Sequence, residues 1–213
     1  AMRSGEMLPI PRKLIVNPFD VSNADGWTDF NQREGFAAIQ VFKAWKRVDT
    51  LVRAIAYMQN SEQKLIGGEG IEYRYMTSPD KCKPKYFDDV GERIWDRAKR
   101  YDMKHLGTVP NDKVFEILKQ VKLQIDPSYS KKYSNFGAHF NRTTVEAIIC
   151  GAVPMATDWG MRDSEIFKAG QNYIEIPAEC KPFVMADIVD NAVHDKDQWI
   201  RIKENNLKLI ELF

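Results

Sequence analysis

Short apolar runs alternate with segments of helical periodicity along most of this chain, and this alternation constrains the fold more than any other feature. Residues 48–59, for example, place Val48, Leu51, Val52, Ile55 and Met58 on one face of a helix. The apolar runs predict about six strands, at 36–41, 64–66, 104–106, 123–125, 153–156 and 173–176. Strands that alternate with helices are typical of a parallel sheet covered on both faces. The sequence therefore predicts an open, doubly wound, Rossmann-like α/β fold.

The helical segments and the domain boundary follow from the same pattern. Apart from residues 48–59, helices are predicted at 88–101, from Asn111 or Asp112 as N-cap through 121, and at 143–150, 164–169, 186–193 and 198–212. Residues 1–34 are rich in Pro, Asn, Asp and Gly, and we interpret them as a linker from a preceding domain. Residues 35–213 are interpreted as one domain, because their number suits a single buried core.

Composition excludes several classes of function. The 31 basic and 30 acidic residues give a net charge of +1, so bulk charge does not attract a nucleic acid. The three cysteines are far apart and odd in number, and the three histidines are scattered, which argues against a disulfide framework and a zinc site. No apolar run approaches the ~18–20 residues of a membrane span, and the start of the chain lacks a signal-peptide core. We expect a cytoplasmic protein. Since the first residue is Ala, the chain is expected to be either a fragment or a protein with residues added at its start.

Residues 126–161 hold the strongest functional signal. They read as a strand end, a long polar loop, a short helix, a glycine stop and a further strand. Loops at the carboxyl ends of parallel strands are where such folds bind ligands. Glu146 lies in this helix within the apolar stretch VEAIICG, beside Thr143. Such a carboxylate needs a hydrogen-bonding partner. The partner is either a pair of ligand hydroxyl groups or the protein's own backbone N–H groups.

Three other patterns have both a functional and an ordinary interpretation. Lys43 and Lys46 lie between a strand and a helix, where they either complete a phosphate site at the helix N-terminus or are solvated surface lysines. The turn from Gly68 to Gly70 either lets a ligand approach the backbone or is a simple turn. The Asp195-Lys196-Asp197 sequence is favoured as a helix N-cap over a metal site.

Seven short segments together resemble the C-terminal domain of retaining GT-B glycosyltransferases of the group 1 (family 4-like) kind. The segments are VNPFD at 16–20, KRVDTL at 46–51, IGGEG at 66–70, LGTV at 106–109, DPS at 126–128, EAIICGAVP at 146–154 and ATDWG at 156–160. They resemble, in order, PNGVD, KGVDTL, VGDGP, FLGxV, xPS, EAMACGTPV and ATDxG. Each segment is weak alone, but their number, order and spacing make the resemblance fairly specific over almost the full chain.

The resemblance implies a role for each matching position. Lys46 would be the catalytic cation on the donor diphosphate, helped by Lys43, and Glu146 would hold the ribose. The base would lie against the backbone near Thr108 and Val109. The remaining donor-binding positions implied by the resemblance or by their neighbourhood are Gly68, Gly70, Asn135, Gly137, His139, Asn141 and Thr143.

Two positions depart from the pattern of that family. The Arg expected five residues before Lys46 is Val41, and the sugar-holding Glu expected eight residues before Glu146 is Ala138. Either another residue of the polar loop (Asn135, His139 or Asn141) meets the sugar, or the donor chemistry differs. Loss of activity would give a nucleotide-sugar-binding module without catalysis.

The implied function is the donor-binding half of an enzyme that transfers a sugar from a nucleoside-diphosphate sugar to an unknown acceptor. No metal or other cofactor is expected, and the nucleotide sugar is a substrate. The partner would be an N-terminal acceptor domain outside this chain, so the isolated domain is expected to bind without transferring. A minor alternative is a phage-type enzyme that modifies DNA, with Lys131, Lys132 and Arg142 along the cleft.

Overall fold

The computed structural model describes residues 28–41, 46–68, 101–129, 142–157 and 167–210, and the structural statements below concern these residues. They form one sheet of six strands in the order β3-β2-β1-β4-β5-β6, and every pairing is parallel. The strands are β1 (Phe36–Ile39), β2 (Lys64–Gly67), β3 (Lys104–His105), β4 (Leu123–Asp126), β5 (Val153–Thr157) and β6 (Ile174–Ile176). The predicted open, doubly wound parallel sheet is thus confirmed.

Five α-helices cover the two faces of this sheet. They are α1 (Val48–Ile55), α2 (Asn111–Leu118), α3 (Arg142–Ile149), α4 (Pro182–His194) and α5 (Lys196–Ile210). One apolar cluster joins α1, α4 and α5 to one face of the sheet, through residues such as Leu51, Met185 and Trp199. A second cluster joins α2 and α3 to the other face, through Leu118 and Ala147. The helices cover both faces, so each central strand is buried along its full length.

Several predicted element ends differ from the structure. The N-cap of α2 is Pro110, not Asn111 or Asp112, and no side chain caps this helix. The helix α4 begins four residues earlier than predicted, since Lys181 is extended and Pro182 fits the first helical position, which lacks an N–H partner anyway. Ala169 forms a parallel bridge to Tyr173 instead of ending a helix. Residues 88–100 and 164–166 of two predicted helices lie outside the described residues.

Residues 28–35, immediately before β1, pack against the domain. A 3-10 turn at Phe30–Gln32 places Phe30 in the main core cluster, where its ring meets Trp199 edge-on with 5.6 Å between centroids. The linker boundary predicted at Gly35 stays a prediction, but Phe30 and Arg33 are buried in the folded unit.

The side chain of Arg33 connects the C-terminal ends of α2 and α3 through hydrogen bonds. Its guanidinium is buried and donates hydrogen bonds to the carbonyl oxygens of Leu118 (3.0 Å), Val121 (3.0 Å) and Cys150 (2.6 Å). Carbonyl groups at helix C-termini lack partners within the helix, and a cation is favourable there. Burial lowers the pKa of Arg33 to about 10, so the side chain is still charged at neutral pH. The three carbonyl groups therefore offset the hydration that this buried cation has lost.

Replacing Arg33 with Met should destabilise the protein, because three buried carbonyl groups lose their donor at once. We expect the free energy of unfolding to fall by about 3 kcal/mol, measured by urea denaturation. The matched control is Arg53→Met on α1, whose exposed ion pair with Asp49 has a 3.6 Å separation. That change should cost under about 0.5 kcal/mol. Equal losses in the two variants would contradict the role given to Arg33.

Cys150 should resist alkylation in the folded protein. Burial raises the pKa of its thiol to about 12, and the thiolate is the reactive form of cysteine. With iodoacetamide at pH 8, mass spectrometry should find Cys150 unmodified in buffer and modified in urea. Rapid modification of the native protein at this residue would show that the α3 end is not packed as described.

Candidate functional site

The sheet has its topological switch point between β1 and β4. From β1 the chain proceeds to β2 on one side, and from β4 it proceeds to β5 on the other. In sheets of this topology, the loops that leave the carboxyl ends of the two strands at the switch point diverge, and ligands bind there. The candidate site is this edge of the sheet.

Lys46 lies at this edge. It lies seven residues after Ile39, the end of β1, and its Nζ is 3.6 Å from Oδ2 of Asp126, the last residue of β4. The two side chains are only 11% and 8% exposed. The amide of Gln40 donates from Nε2 to the Lys46 carbonyl oxygen (3.4 Å), while Gln40 Oε1 is buried with no hydrogen-bond partner among the described residues. The switch point thus holds a largely buried cation beside an unsatisfied acceptor.

Asp126 is a site residue that the sequence reasoning missed. Its Oδ1 accepts hydrogen bonds from the backbone N–H of Ser128 (3.1 Å) and from the Ser128 hydroxyl. The Ser128 carbonyl in turn accepts a bond of 2.5 Å from the hydroxyl of Thr157 at the end of β5. The carboxylate is therefore fixed from two neighbouring strands. The available signal was a charged residue at the end of an otherwise buried strand, immediately before Pro127.

Arg47 connects three loops at the same edge. Its guanidinium donates to the carbonyl oxygens of Ala178 and Cys180 (3.2 Å for Cys180) and lies 5.9 Å from the centroid of the Tyr129 ring. Tyr129 donates from its hydroxyl to Glu179 (2.7 Å). Arg47 has φ of 52°, a left-handed conformation that suits the glycine of the motif KGVDTL better than an arginine. These contacts hold the start of α1, and with it Lys46, against the loops after β4 and β6.

Glu146 lies on α3, whose first turn sits over the end of β1. The hydroxyl of Thr143 donates to the carbonyl oxygen of Ile39, the last residue of β1 (3.3 Å). Glu146 is 3% exposed, and its Oε1 accepts a hydrogen bond of 2.8 Å from Nε of Arg142, whose side chain is 63% exposed. Glu146 and Lys46 therefore belong to the same edge of the sheet, each beside an ionic partner.

The glycine turn and the predicted base-binding loop also meet. The backbone N–H of Gly68 donates to the carbonyl oxygen of Gly107 (2.7 Å), and a His105 ring nitrogen lies 3.2 Å from the Gly68 carbonyl. A Cβ atom at Gly67 would stand 2.7 Å from Val109 Cγ2. Gly68 and the loop that contains Thr108 and Val109 are therefore neighbours at the ends of β2 and β3, and their shared role in base binding stays a prediction.

The remaining predicted site residues lie outside the described residues. They are Lys43, Gly70, Asn135, Gly137, His139 and Asn141. Among the residues that the structure describes, no three His, Cys, Asp or Glu side chains group as metal ligands. Asp195 acts as the N-cap expected of it, since its carboxylate accepts from the Gln198 backbone N–H at 2.8 Å. Within the described ranges, no helix combines the length and apolar character that a membrane span requires.

Similar proteins were found by comparison with solved structures. No protein-family profile matches the sequence. No curated protein matches it either. Among solved structures, HepE from Anabaena in complex with UDP-glucose has a TM-score of 0.69 at 16% identity, over 92% of this chain and 51% of that chain. TarM from S. aureus, in a complex that contains UDP, has a TM-score of 0.60 at 19% identity, over 84% and 33%.

A third similar structure is itself a single domain. The C-terminal domain of a glycosyl transferase group 1 family protein, LpcC from Francisella tularensis, has a TM-score of 0.61 at 14% identity, over 84% of each chain. The present chain spans about half the length of HepE and a third of TarM. Because these identities are low, the likeness establishes the fold. The chain has the Rossmann-like fold of the C-terminal domain of GT-B glycosyltransferases.

Proposed function

We propose that this chain is the donor-binding half of a retaining glycosyltransferase, which uses a nucleoside-diphosphate sugar and an acceptor of unknown identity. One observation carries the proposal. Lys46 and Glu146, chosen from the sequence for diphosphate and ribose, lie at the same carboxyl edge of β1 and β4. The HepE and TarM complexes, which contain UDP or UDP-glucose in a similar fold, support a uridine nucleotide as the first ligand to test.

Lys46 has the properties that a leaving diphosphate requires. Its side chain is 11% exposed, so its interaction with an anion is weakly screened by water. Negative charge grows on the nucleoside diphosphate as the bond to the sugar breaks, and a fixed cation stabilises that charge without a metal. The proposal therefore includes metal independence, which EDTA should test: donor affinity should not change when divalent ions are removed.

Glu146 has the properties that a ribose requires. A carboxylate can accept hydrogen bonds from two hydroxyl groups, and burial fixes its direction. One of its oxygens already accepts from Arg142, whose guanidinium is largely in solvent and can turn away at small cost. The nucleotide base would then lie along the edge formed by Gly68, Thr108 and Val109, where backbone atoms approach one another closely.

Transfer itself is proposed to need a second domain. GT-B enzymes react their donor with an acceptor in the cleft between two domains, and positioning of the two substrates supplies much of the rate. This chain matches about half of HepE. We therefore propose that the isolated chain binds the donor and does not transfer it. A reducing, cytoplasmic location is part of the same proposal and agrees with the free thiols of Cys150 and Cys180.

Lys46→Ala should weaken UDP binding by about 10- to 100-fold, because a charge-assisted contact to phosphate is lost. Isothermal titration calorimetry of the folded variant measures this change. The matched control is Lys113→Ala on α2, where the lysine is half-exposed and paired with Glu116. If UDP bound equally well to both variants, the diphosphate would not be at Lys46.

Glu146→Gln should weaken both uridine and UDP by about tenfold, since an amide offers one acceptor oxygen and no charge to the ribose. The comparison with 2′,3′-dideoxyuridine is decisive: this ligand should bind wild type and variant equally. The control is Glu116→Gln, an exposed carboxylate on α2. An equal loss for the dideoxy ligand would mean that Glu146 supports the fold and does not hold the ribose.

A further inference from the structure

We propose that Asp126 is a positioning residue that competes with the donor diphosphate for the ammonium group of Lys46, and so keeps nucleotide affinity low. This inference rests on the proposed function, because it describes how the same site exchanges one anion for another. Neither the apolar pattern of β4 nor the resemblance to GT-B enzymes gives Asp126 a role. The geometry of the ion pair carries the inference.

The carboxylate is held in place before any ligand arrives. Oδ1 accepts from the backbone N–H and the hydroxyl of Ser128, while Oδ2 faces Lys46 Nζ at 3.6 Å. Ser128 is itself fixed by Thr157 from the neighbouring strand. With one oxygen bound to its own loop, the Asp126 carboxylate cannot turn away when a second anion approaches Lys46. Its charge stays at the site in both the free and the liganded protein.

A fixed carboxylate has two opposite effects at this position. In the free protein it stabilises Lys46, since a nearby carboxylate offsets the cost of burying a charged side chain that is only 11% exposed. In the complex it repels the diphosphate and retains part of the attraction of Lys46. The net result is that Lys46 is already in position before the ligand binds, while its affinity for phosphate is reduced. Weak binding of the nucleoside diphosphate also favours its release after the sugar has left, and product release limits the rate of many enzymes.

The test is calorimetric titration of wild type and Asp126→Asn with UDP and, separately, with inorganic pyrophosphate. The amide keeps the shape and the Ser128 contacts but not the charge. We expect both ligands to bind Asp126→Asn about tenfold more tightly than wild type. A residue with only a structural role would not produce tighter binding, because a loosened site binds more weakly. Asp126→Ser provides a second uncharged variant in case the first does not fold.

The dependence on Lys46 is tested in the double variant Lys46→Ala/Asp126→Asn. Compared with Lys46→Ala alone, the added Asp126→Asn change should improve affinity by less than about threefold, because only the direct repulsion between the carboxylate and the ligand is then relieved. Asp126→Glu restores the charge and should return the affinity to within about threefold of wild type. The control Asp187→Asn, at an exposed position on α4, should leave both affinities unchanged.

The outcomes separate this inference from the proposed function. If wild type binds UDP and Asp126→Asn binds it equally or more weakly, the competition is overturned and the donor site stands. If pyrophosphate binds more tightly to Asp126→Asn but UDP binds to neither protein, the competition stands and the nucleotide function falls. An equal gain in the Lys46→Ala background also overturns the inference. If neither anion binds any folded variant, both proposals fail.

Discussion

The parallel pairing of β1 with β4 is the constraint on which the rest of the structure depends. Phe36 pairs with Leu123 and Ala37 with Gln124, and this register sets two strand ends side by side. Because the chain leaves them in opposite directions, one loop carries Lys46 and the other begins at Asp126. The first turn of helix α3 lies over the same edge, where the hydroxyl of Thr143 donates a hydrogen bond to the carbonyl oxygen of Ile39. The position of the candidate site, its charges and its nearest helix all depend on this one strand pairing.

Two pairs of opposite charges lie at this edge, and the pairing allows charged side chains to be buried there before a ligand binds. Lys46 lies beside Asp126, and Arg142 lies beside Glu146. Burial of a lone charge is costly, while a pair with further hydrogen bonds is tolerated. Ligand binding at such a site is an exchange of partners, so affinity depends on the difference between two sets of contacts. The exposed Arg142 can leave its partner easily, whereas Asp126 is held by Ser128.

Local sequence patterns predicted correctly the features that depend on neighbouring residues. They did not predict features that depend on contacts between distant parts of the chain. The apolar stripe of α1 from Val48 to Ile55 and the cap at Asp195 were predicted correctly, because each needs only neighbours in the chain, although the helix ends before Met58. The cap of α2 was wrong: Pro110 is extended, and its carbonyl starts the helix without any side-chain bond. Arg33 was not singled out, because its acceptors lie 85 to 117 residues away in sequence.

The sequence by itself determined the class of fold, the six strands and the choice of Lys46 and Glu146, since hydrophobic periodicity and short motifs are properties of neighbouring residues. Only the tertiary structure decided the order of the strands and the contacts between loops that are distant in sequence. In the folded protein, Lys46 lies beside Asp126 at the end of another strand, and Arg47 donates a hydrogen bond to the loop after β6. Contacts between remote segments depend on how the strands pair, and no local pattern in the chain encodes that pairing.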